Sequence, residues 1–242
     1  MAASSTKPNQ LSLADQAYQK IKNGIIHYYF KPGTTLRISD LAEMFEMSQT
    51  PVREALSKLE REHLIKRYPQ KRYVVSILNV HDMENLFELR IAIEVLAVRQ
   101  AATRMTRSAR NELLAVMKNI ESAIAAGNQG ELIDFERQFH SKIMQASDNP
   151  YLSEIGEGIL DRIWVIQSYN LITSDRLLAA HQQHLKVFAS LEGGNPETTA
   201  ALMEAHLKDA KHFLIQRLRN QDDVLSSLID IGPLSFLPKS SI

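Results

Sequence analysis

The sequence predicts a mainly α fold in which an N-terminal winged helix-turn-helix with a small β-hairpin is followed by an all-α helical bundle. Residues 39–75 have the pattern of two short helices, a turn and a β-hairpin. From Asp82 onward the strand signals vanish, and apolar residues recur at spacings of three and four. A chain of 242 residues with 44% hydrophobic residues has the size and composition of two globular domains.

The first helix of the helix-turn-helix is predicted to begin at Ser39, whose hydroxyl caps it, and to break at Glu46. The wing follows the second helix. Its two strands are predicted at residues 65–68 and 73–77, which are rich in β-formers. The basic segment between them, 69–72, forms a hairpin tip that suits a phosphate or a minor groove.

The second helix is predicted to begin near Ser48 and to be amphipathic. Val52, Leu56 and Leu59 recur at spacings of four and three and face a core, while Gln49, Thr50, Arg53 and Lys58 face away from it. A recognition helix has this arrangement, because its N-terminal turns enter the major groove of DNA. The pattern also fits a small helical bundle with a charged surface.

The residues of this region resemble the GntR family of bacterial transcription regulators. The resemblance runs from Lys31-Pro32-Gly33 through Ser-Gln-Thr-Pro-Val-Arg-Glu-Ala-Leu at 48–56 to Leu59-Glu60. Gln49 stands where the family usually has Arg. Because Gln pairs better with adenine and Arg with guanine, we expect a preference for adenine at the contacted base. Arg72 stands where the family commonly has the wing glycine, so we expect a turn without a positive φ.

The resemblance implies two groups of DNA-contacting residues. The recognition helix contributes base or adjacent phosphate contacts, and the flanking basic residues position the domain on the DNA backbone. The two groups are Gln49, Thr50 and Arg53, and Arg37, Lys71 and Arg72.

Charge is distributed unevenly along the chain although its net charge is zero. Residues 1–80 contain 12 Lys or Arg and 7 Asp or Glu, and residues 81–242 contain 16 Lys or Arg and 21 Asp or Glu. The two parts therefore carry net charges of +5 and −5. A basic first third fits a DNA-binding head. The chain has no cysteine and no apolar run of membrane-spanning length, and its polar first residues lack the apolar core of a signal peptide. We therefore expect a cytoplasmic protein without membrane association.

The remainder is predicted to form about six helices that pack as antiparallel neighbours around an interior able to hold a ligand. Their expected bounds are 82–104, 106–126, 129–146, 149–169, 175–191 and 196–219. The resulting domain organisation is a flexible N-terminus at 1–10, a DNA-binding domain at 11–78, a helical effector-binding and dimerisation domain at 79–220, and a tail at 221–242.

Polar residues interrupt the apolar faces of three of these helices. Glu136 and His140 lie one turn apart on the third helix, His181 and His184 lie on the fifth, and His206 lies on the sixth. A single histidine in such a position is usually a hydrogen-bonded core residue. Several convergent groups without partners are costly to bury, and a divalent cation satisfies them together. Three imidazoles and a carboxylate suit zinc, nickel, manganese or iron.

The helical part, about residues 83–216, is similar to the FCD effector domain of the FadR subfamily. Many members of that subfamily bind a metal through a carboxylate and three histidines. By position, this set falls on Glu136, His140, His184 and His206. The family carboxylate is usually Asp, so the longer Glu136 alters the expected geometry, and Asp134 and His181 are the reserve candidates.

Two further groups are candidates for effector binding. Arg90 and Glu94 match an R-x-x-x-E of the family, and they either form an intrahelical ion pair or leave Arg90 to bind an effector carboxylate. A second cluster either closes a ligand pocket or packs between helices. It consists of Arg162, Trp164, Gln167, Tyr169 and Asn170.

These features together predict a ligand-responsive transcription regulator. We expect a homodimer that binds a palindromic operator in double-stranded DNA and senses a small organic acid at a metal-containing site. The alternative is a metal-dependent hydrolase with an attached DNA-binding head. Against an enzyme, the chain has no G-x-S-x-G, no phosphate-binding glycine loop and no H-E-x-x-H.

Overall fold

A computed structural model describes residues 11–69, 72–167 and 174–219. The chain divides into two compact units between Ile77 and Leu78. The described elements of the N-terminal unit are α1 (Leu13–Ile26), β1 (Thr35–Leu36), α2 (Ile38–Met44), α3 (Gln49–Arg61), β2 (Ile65–Tyr68) and β3 (Arg72–Val75). Those of the helical unit are α4 (Val80–Arg104), α5 (Arg107–Ala126), α6 (Gln129–Ala146), α7 (Pro150–Gln167), α8 (Ser174–Glu192) and α9 (Pro196–Arg219).

Helix α1 packs against α3, the second helix of the helix-turn-helix. Its start is capped by the Ser12 hydroxyl, which accepts a hydrogen bond from the Asp15 amide at 3.1 Å. Ala17, Ile21 and Ile25 follow at spacings of four and are fully buried. The predicted elements do not include this helix or β1, although the cap and the apolar spacing of α1 are visible in the sequence.

The predicted helix-turn-helix is confirmed, with one correction at its first cap. Helix α2 begins at Ile38, and Arg37 occupies the cap position without a side-chain capping bond. The Ser39 cap was therefore wrong, because the Ser39 hydroxyl lies inside the helix and donates to Asp40 Oδ1 at 2.8 Å. The turn into α3 contains Glu46 in the left-handed region, at φ +55°.

The wing is an antiparallel three-stranded sheet in the order β1-β3-β2. Val74 of β3 pairs with Thr35 on one side and with Lys66 on the other. Arg72 starts β3 rather than lying in the turn, and it is not among the positive-φ residues. The strand therefore begins one residue earlier than predicted and ends at Val75 instead of Ile77. Lys71 lies outside the described residues.

The helical unit contains six helices within its described residues, with bounds close to those predicted. Helix α4 begins two residues early because Asn79 and Asp82 form a capping box. Helix α5 begins after the Thr106 cap and ends at Ala126, and the following Gly127 has a φ of +65°, which suits glycine. Residues 168 and 169, predicted as the end of α7, lie outside the described residues.

Helix α4 is the central element of this unit and packs against α6, α7, α8 and α9. Its buried side contributes Val98 and Ala101 to one apolar cluster, which is shared with α5, α6, α8 and α9. Met83 and Phe87 belong to a second cluster, which is shared with α7 and α9. Within the described residues, no helix has both the length and the apolar character needed to cross a lipid bilayer.

The close approach of Gly24 to Phe30 predicts the effect of one substitution. A Cβ at position 24 would lie 2.5 Å from Phe30 Cε2, and the Phe30 ring is fully buried. We expect Gly24→Ala to lower the free energy of unfolding by about 1–3 kcal/mol, because the ring has no room to move. Chemical denaturation of the full chain measures this change.

Gly130→Ala is the matched control for that substitution. A Cβ at Gly130 would meet only Asn128 Oδ1, at the ordinary contact distance of 3.7 Å. This variant should be unchanged or stabilised by up to about 1 kcal/mol, because alanine favours helices over glycine. Equal effects of the two substitutions would contradict the packing explanation.

Candidate functional site

Three buried histidines from three helices converge in the helical unit. His140 of α6, His184 of α8 and His206 of α9 each offer a ring nitrogen, and these nitrogens lie within 4.8 Å of one another. The Nε2 atoms of His184 and His206 are 3.0 Å apart. The side chains are almost fully buried, so the cluster is enclosed by protein. The sequence predicts these three histidines as neighbours.

Each of the three rings has a polar group beside its Nδ1 atom. His140 Nδ1 lies 2.6 Å from Glu94 Oε2, and His206 Nδ1 lies 2.7 Å from Gln183 Oε1. Oxygen atoms of these kinds accept hydrogen bonds, so these two rings carry their proton on Nδ1 and keep the Nε2 lone pair. His184 Nδ1 lies 3.4 Å from Glu136 Oε2, without hydrogen-bond geometry. Ring nitrogens oriented in this way are typical of metal-ligating histidines.

Glu136 lies beside the histidine group rather than within it. Among the described residues, the cluster of convergent ligand atoms consists of the three histidines. The Glu136 carboxylate is buried, and its Oε1 has no hydrogen-bond partner. The role of Glu136 as a metal ligand therefore stays a prediction. In this structure its carboxylate lies outside the histidine group, next to His184.

The two reserve candidates also lie outside the group of three. Asp134 is half-buried on α6. His181 is buried on α8, and neither of its ring nitrogens makes a hydrogen bond within the described structure. The exposed Glu121 carboxylate lies beside His181, with its Oε1 3.7 Å from His181 Nε2.

Glu94 connects the histidine cluster to Arg90 through one carboxylate. Arg90 Nε donates to Glu94 Oε1 at 2.6 Å, while Glu94 Oε2 contacts His140. All three side chains are buried. Both interpretations of Arg90 thus have a structural basis, because Arg90 forms the intrahelical pair and still has a buried Nη2 without a hydrogen-bond partner.

The electrostatics of the cluster favour neutral imidazoles and a charged carboxylate. Burial raises the pKa of Glu94, but the adjacent Arg90 and His140 outweigh burial and lower that pKa to about 2. Burial lowers the pKa of His140 to about 4 despite Glu94, and burial holds the pKa of His206 well below its ordinary value. Neutral imidazole is the form that coordinates a metal ion.

A small cavity of about 40 Å³ borders this cluster. This volume holds only a few water-sized groups, so it suits a small ligand. One part of its lining is polar and consists of Arg90, Glu136, His140, Arg176 and His206. The remaining wall is apolar or aromatic and is formed by Ile133, Trp164, Leu177, Ala180, Ala210, Phe213 and Leu214.

The second predicted effector cluster is only partly placed at this cavity. Trp164 lines it and donates from Nε1 to the Ile133 carbonyl at 3.1 Å. Arg162 is not part of the lining and lies half-buried on α7, with Asp82 as the acidic group that influences it. Tyr169 and Asn170 lie outside the described residues.

A second polar connection, which is not among the sequence predictions, runs from His206 to the cavity wall. Gln183 accepts from His206 and donates from Nε2 to Asp209 Oδ2 at 2.9 Å. Asp209 Oδ2 also pairs with Arg176 Nη1 at 3.1 Å, and Arg176 lines the cavity. The signal in the sequence was spacing, because residues 176, 180 and 183 share one face of α8 with His184.

The residues present fit a divalent metal ion. Three imidazoles converge in a buried site, two of them with Nε2 lone pairs directed away from their hydrogen-bonded Nδ1 atoms. A buried carboxylate oxygen of Glu136 is unpartnered beside them. This donor set matches the nitrogen and oxygen ligands of zinc and of neighbouring transition metals.

The predicted DNA-contacting residues that the structure describes are exposed on the N-terminal unit. Gln49, Thr50 and Arg53 lie on the outer side of the first turns of α3, opposite Val52 and Leu56 in the core. The flanking basic residues Arg37 and Arg72 are exposed as well. Lys58 is half-buried instead, because its ammonium lies 3.8 Å from the centre of the Tyr18 ring.

A winged helix-turn-helix followed by a helical domain is the architecture of a DNA-binding transcription regulator. Residues 13–75 match the model of bacterial regulatory proteins of the gntR family, and residues 85–209 match the FCD domain. The chain belongs to the GntR family and carries an FCD domain. It is a transcription regulator of this type.

Individual relatives agree with this assignment. The chain is 27% identical to the HTH-type transcriptional regulator YdhC of Bacillus subtilis (strain 168), over 82% of this chain and 89% of YdhC. It is 29% identical to the Nta operon transcriptional regulator of Aminobacter aminovorans, over 78% of this chain and 87% of that protein. The solved structure of E. coli McbR/YncC has the same fold, with a TM-score of 0.75, 24% identity, and coverage of 86% of this chain and 99% of that one.

The buried position of Glu94 predicts a large loss of stability when its charge is removed. Glu94→Gln should lower the free energy of unfolding by about 3–5 kcal/mol, because Arg90 would remain buried without its counter-charge. Thermal or chemical denaturation of metal-stripped protein measures this loss. In Glu88→Gln the same change removes an exposed ion pair to Lys211, and it should cost no more than about 1 kcal/mol. Similar losses in the two variants would show that the Arg90–Glu94 pair is not a buried contributor to stability.

Proposed function

We propose that this regulator binds palindromic operator DNA as a homodimer and that a small organic acid, bound at a metal centre in the helical unit, modulates its DNA affinity. The observation that supports the sensing part most directly is the junction of the histidine cluster with a cavity that also contains Arg90. An acid bound there has access to both the metal position and a guanidinium. The DNA-binding part is supported by the family and by the exposed polar start of α3.

On the DNA, we propose that α3 enters the major groove with its first turns. Gln49, Thr50 and Arg53 then contact base edges or adjacent phosphates, and Arg37, Lys71 and Arg72 contact the backbone. Glutamine pairs in a bidentate manner with adenine, whereas arginine pairs with guanine. The operator should therefore contain adenine at the position that Gln49 contacts.

The contribution of Arg53 to DNA binding is tested by one substitution. Arg53→Ala should weaken binding by about 1–3 kcal/mol, because a base or phosphate contact at the centre of the interface is lost. The probe is a duplex selected from random DNA by the wild-type protein, and fluorescence anisotropy at fixed salt measures the affinity. Arg61→Ala, at the exposed C-terminal end of α3, is the control and should change the affinity little.

In the helical unit, we propose that His140, His184 and His206 hold the metal and that Glu136 either completes the set or orients His184. The metal would be zinc, nickel, manganese or iron. When bound, the ion supplies a positive centre with a position open to an anionic ligand. Glu94 and Gln183 fix the proton of His140 and of His206 on Nδ1 and so keep both Nε2 atoms available.

We propose that Arg90 is the protein's own anion-binding group in the cavity. Its Nε is engaged by Glu94, while its buried Nη2 has no hydrogen-bond partner. Leaving such a donor unsatisfied is costly, and a ligand carboxylate satisfies it with a charge-assisted bond. The apolar wall of Leu177, Phe213 and Leu214 would contact the hydrocarbon part of the acid.

Metal binding is tested by removing one ligand and one supporting group. His184→Ala should abolish stoichiometric metal, and Gln183→Leu should lower the metal affinity by about 10- to 100-fold, because it removes an outer hydrogen bond to a ligand. The measurements are elemental analysis and competition with a chromogenic chelator. The matched controls are the exposed His212→Ala on α9 and the exposed Gln182→Leu on α8. A His184→Ala variant with full metal content would overturn the proposed ligand set.

The sensing role is tested with the same protein and a panel of small carboxylic acids. We expect at least one acid to raise the melting temperature of the metal-loaded chain and to change its affinity for the selected duplex. Chelation should remove both effects, whereas the unliganded DNA affinity should persist. Acids that stabilise the chelated protein equally would show that the metal is not part of the ligand site.

A further inference from the structure

His181 is a buried imidazole to which its described surroundings supply no hydrogen bond. It lies on α8 with 3% of its side chain exposed, and within the described structure neither of its ring nitrogens has a hydrogen-bond partner. Buried polar groups are nearly always paired, because an unpaired one loses its hydration without compensation. An apolar side chain at position 181 would avoid this cost, so packing alone does not explain the histidine.

The carboxylate of Glu121, on α5, lies beside the His181 ring and reaches the surface. Its Oε1 is 3.7 Å from His181 Nε2, and 58% of the Glu121 side chain is exposed. This distance is too long for a hydrogen bond. It is close to the separation of about 3.4 Å between two ligand atoms that bind one tetrahedral zinc ion with bonds of about 2.0–2.1 Å. The pair thus has the atom types and the spacing of two ligands on one ion.

Glu136 lies between His181 and the histidine cluster. Burial raises the pKa of Glu136, but the neighbouring imidazoles of His184, His140 and His181 outweigh burial and lower that pKa, so His181 is within electrostatic reach of this carboxylate. Glu136 Oε1 has no hydrogen-bond partner, and Glu136 Oε2 is 3.4 Å from His184 Nδ1. Potential ligand atoms therefore follow one another from the surface to the cluster, in the order Glu121, His181, Glu136 and His184.

The cavity side of the cluster offers a cation no comparable series of ligand atoms. Apart from the proposed metal ligands, the polar side chains of the described cavity lining are Arg90 and Arg176. A guanidinium donates hydrogen bonds and has no lone pair for a metal ion. The rest of that lining is apolar or aromatic. The cavity therefore suits an anion, whereas the groups around His181 suit a cation.

We propose that Glu121 and His181 form an outer binding site for a divalent metal ion, through which the ion exchanges between solvent and the histidine cluster. Moving an ion through a buried region without ligands is costly, because its hydration is lost. The Glu121 carboxylate and the His181 imidazole replace part of that hydration on the way to Glu136. The inference rests on the proposed metal centre and gives His181 a role in metal exchange instead of a place in the resident ligand set.

The test compares the rates of metal exchange with the metal affinity of the full chain, using Zn²⁺ as the probe. Stopped-flow mixing of metal-stripped protein with Zn²⁺ and a fluorescent zinc indicator gives the uptake rate, and mixing of loaded protein with excess chelator gives the release rate. His181→Leu should slow both rates at least about tenfold, because the ion loses a ligand on its path. The equilibrium dissociation constant should stay unchanged, because it depends on the end states alone.

Three further variants separate a ligand role of His181 from a packing role. His181→Cys should keep most of the exchange rate, because a thiolate also binds zinc. His212→Leu makes the same change as His181→Leu at an exposed position of α9 and should behave as wild type. Glu121→Gln should slow uptake by about threefold at low salt and less at high salt, because the exposed carboxylate attracts the cation.

Glu112→Gln is the matched control for Glu121→Gln. Glu112 lies on the same helix with a similar side-chain exposure of 51%, but it pairs with Lys142 and not with a histidine. Uptake by this variant should equal that of the wild type. Thermal melting of the metal-free form of each variant verifies that the chain is folded.

The outcomes separate this inference from the proposed function. A wild-type chain that binds Zn²⁺ and exchanges it as fast as His181→Leu does would overturn the outer site and keep the metal centre. Loss of zinc affinity in His181→Leu, as expected for His184→Ala, would make His181 a resident ligand and would also overturn the exchange role. A wild-type chain that binds no zinc would overturn the metal centre and the outer site together.

Discussion

The shared carboxylate of Glu94 is the interaction on which the arrangement of the helical unit depends. Its two oxygens contact the Arg90 guanidinium and the His140 imidazole, each at 2.6 Å, in a region that solvent hardly reaches. A charged group in such a region is stable only when its counter-charges and hydrogen bonds are complete. The pair therefore fixes the register of α4 relative to α6.

This register determines what the neighbouring helices present to the interior. With His140 held by Glu94, its free nitrogen faces His184 of α8 and His206 of α9, and His206 is held in turn by Gln183. Two of the three imidazoles are thus oriented by other side chains rather than by each other. The same network also fixes part of the cavity wall, because Arg90 and His140 belong to both.

The sequence was sufficient for the helices of the helical unit and for the histidines, since both depend on local periodicity. The bounds of α6 and α9 follow from caps and breakers, and His140, His184 and His206 lie on apolar faces that must turn inward. The partners of those residues could not be derived in this way. Gln183 and Arg176 become neighbours of the site only through the packing of α8 on α9, which local spacing does not specify.

The same distinction explains the errors in the N-terminal unit. Ser39 has the right residue type for a helix cap, but the helix begins at Ile38, so its hydroxyl bonds to Asp40 instead. The strand β1 has only two residues and is defined by its pairing with β3, so it is too short for periodicity to predict it. In the helical unit, Arg162 lies two residues before Trp164, and positions two apart on a helix point to different sides, so only Trp164 lines the cavity.

Helix α4 carries its interior and exterior residues in immediate succession, with Leu89 next to Arg90. A shift or rotation of this helix that improves the fit of a ligand in the cavity displaces the outer face by the same amount. Cavity occupancy and the position of the outer face of α4 would then be linked, and linkage acts equally in both directions. A ligand in the cavity would be felt on the outer face of α4, and a change on that face would alter ligand affinity without altering any residue that touches the ligand.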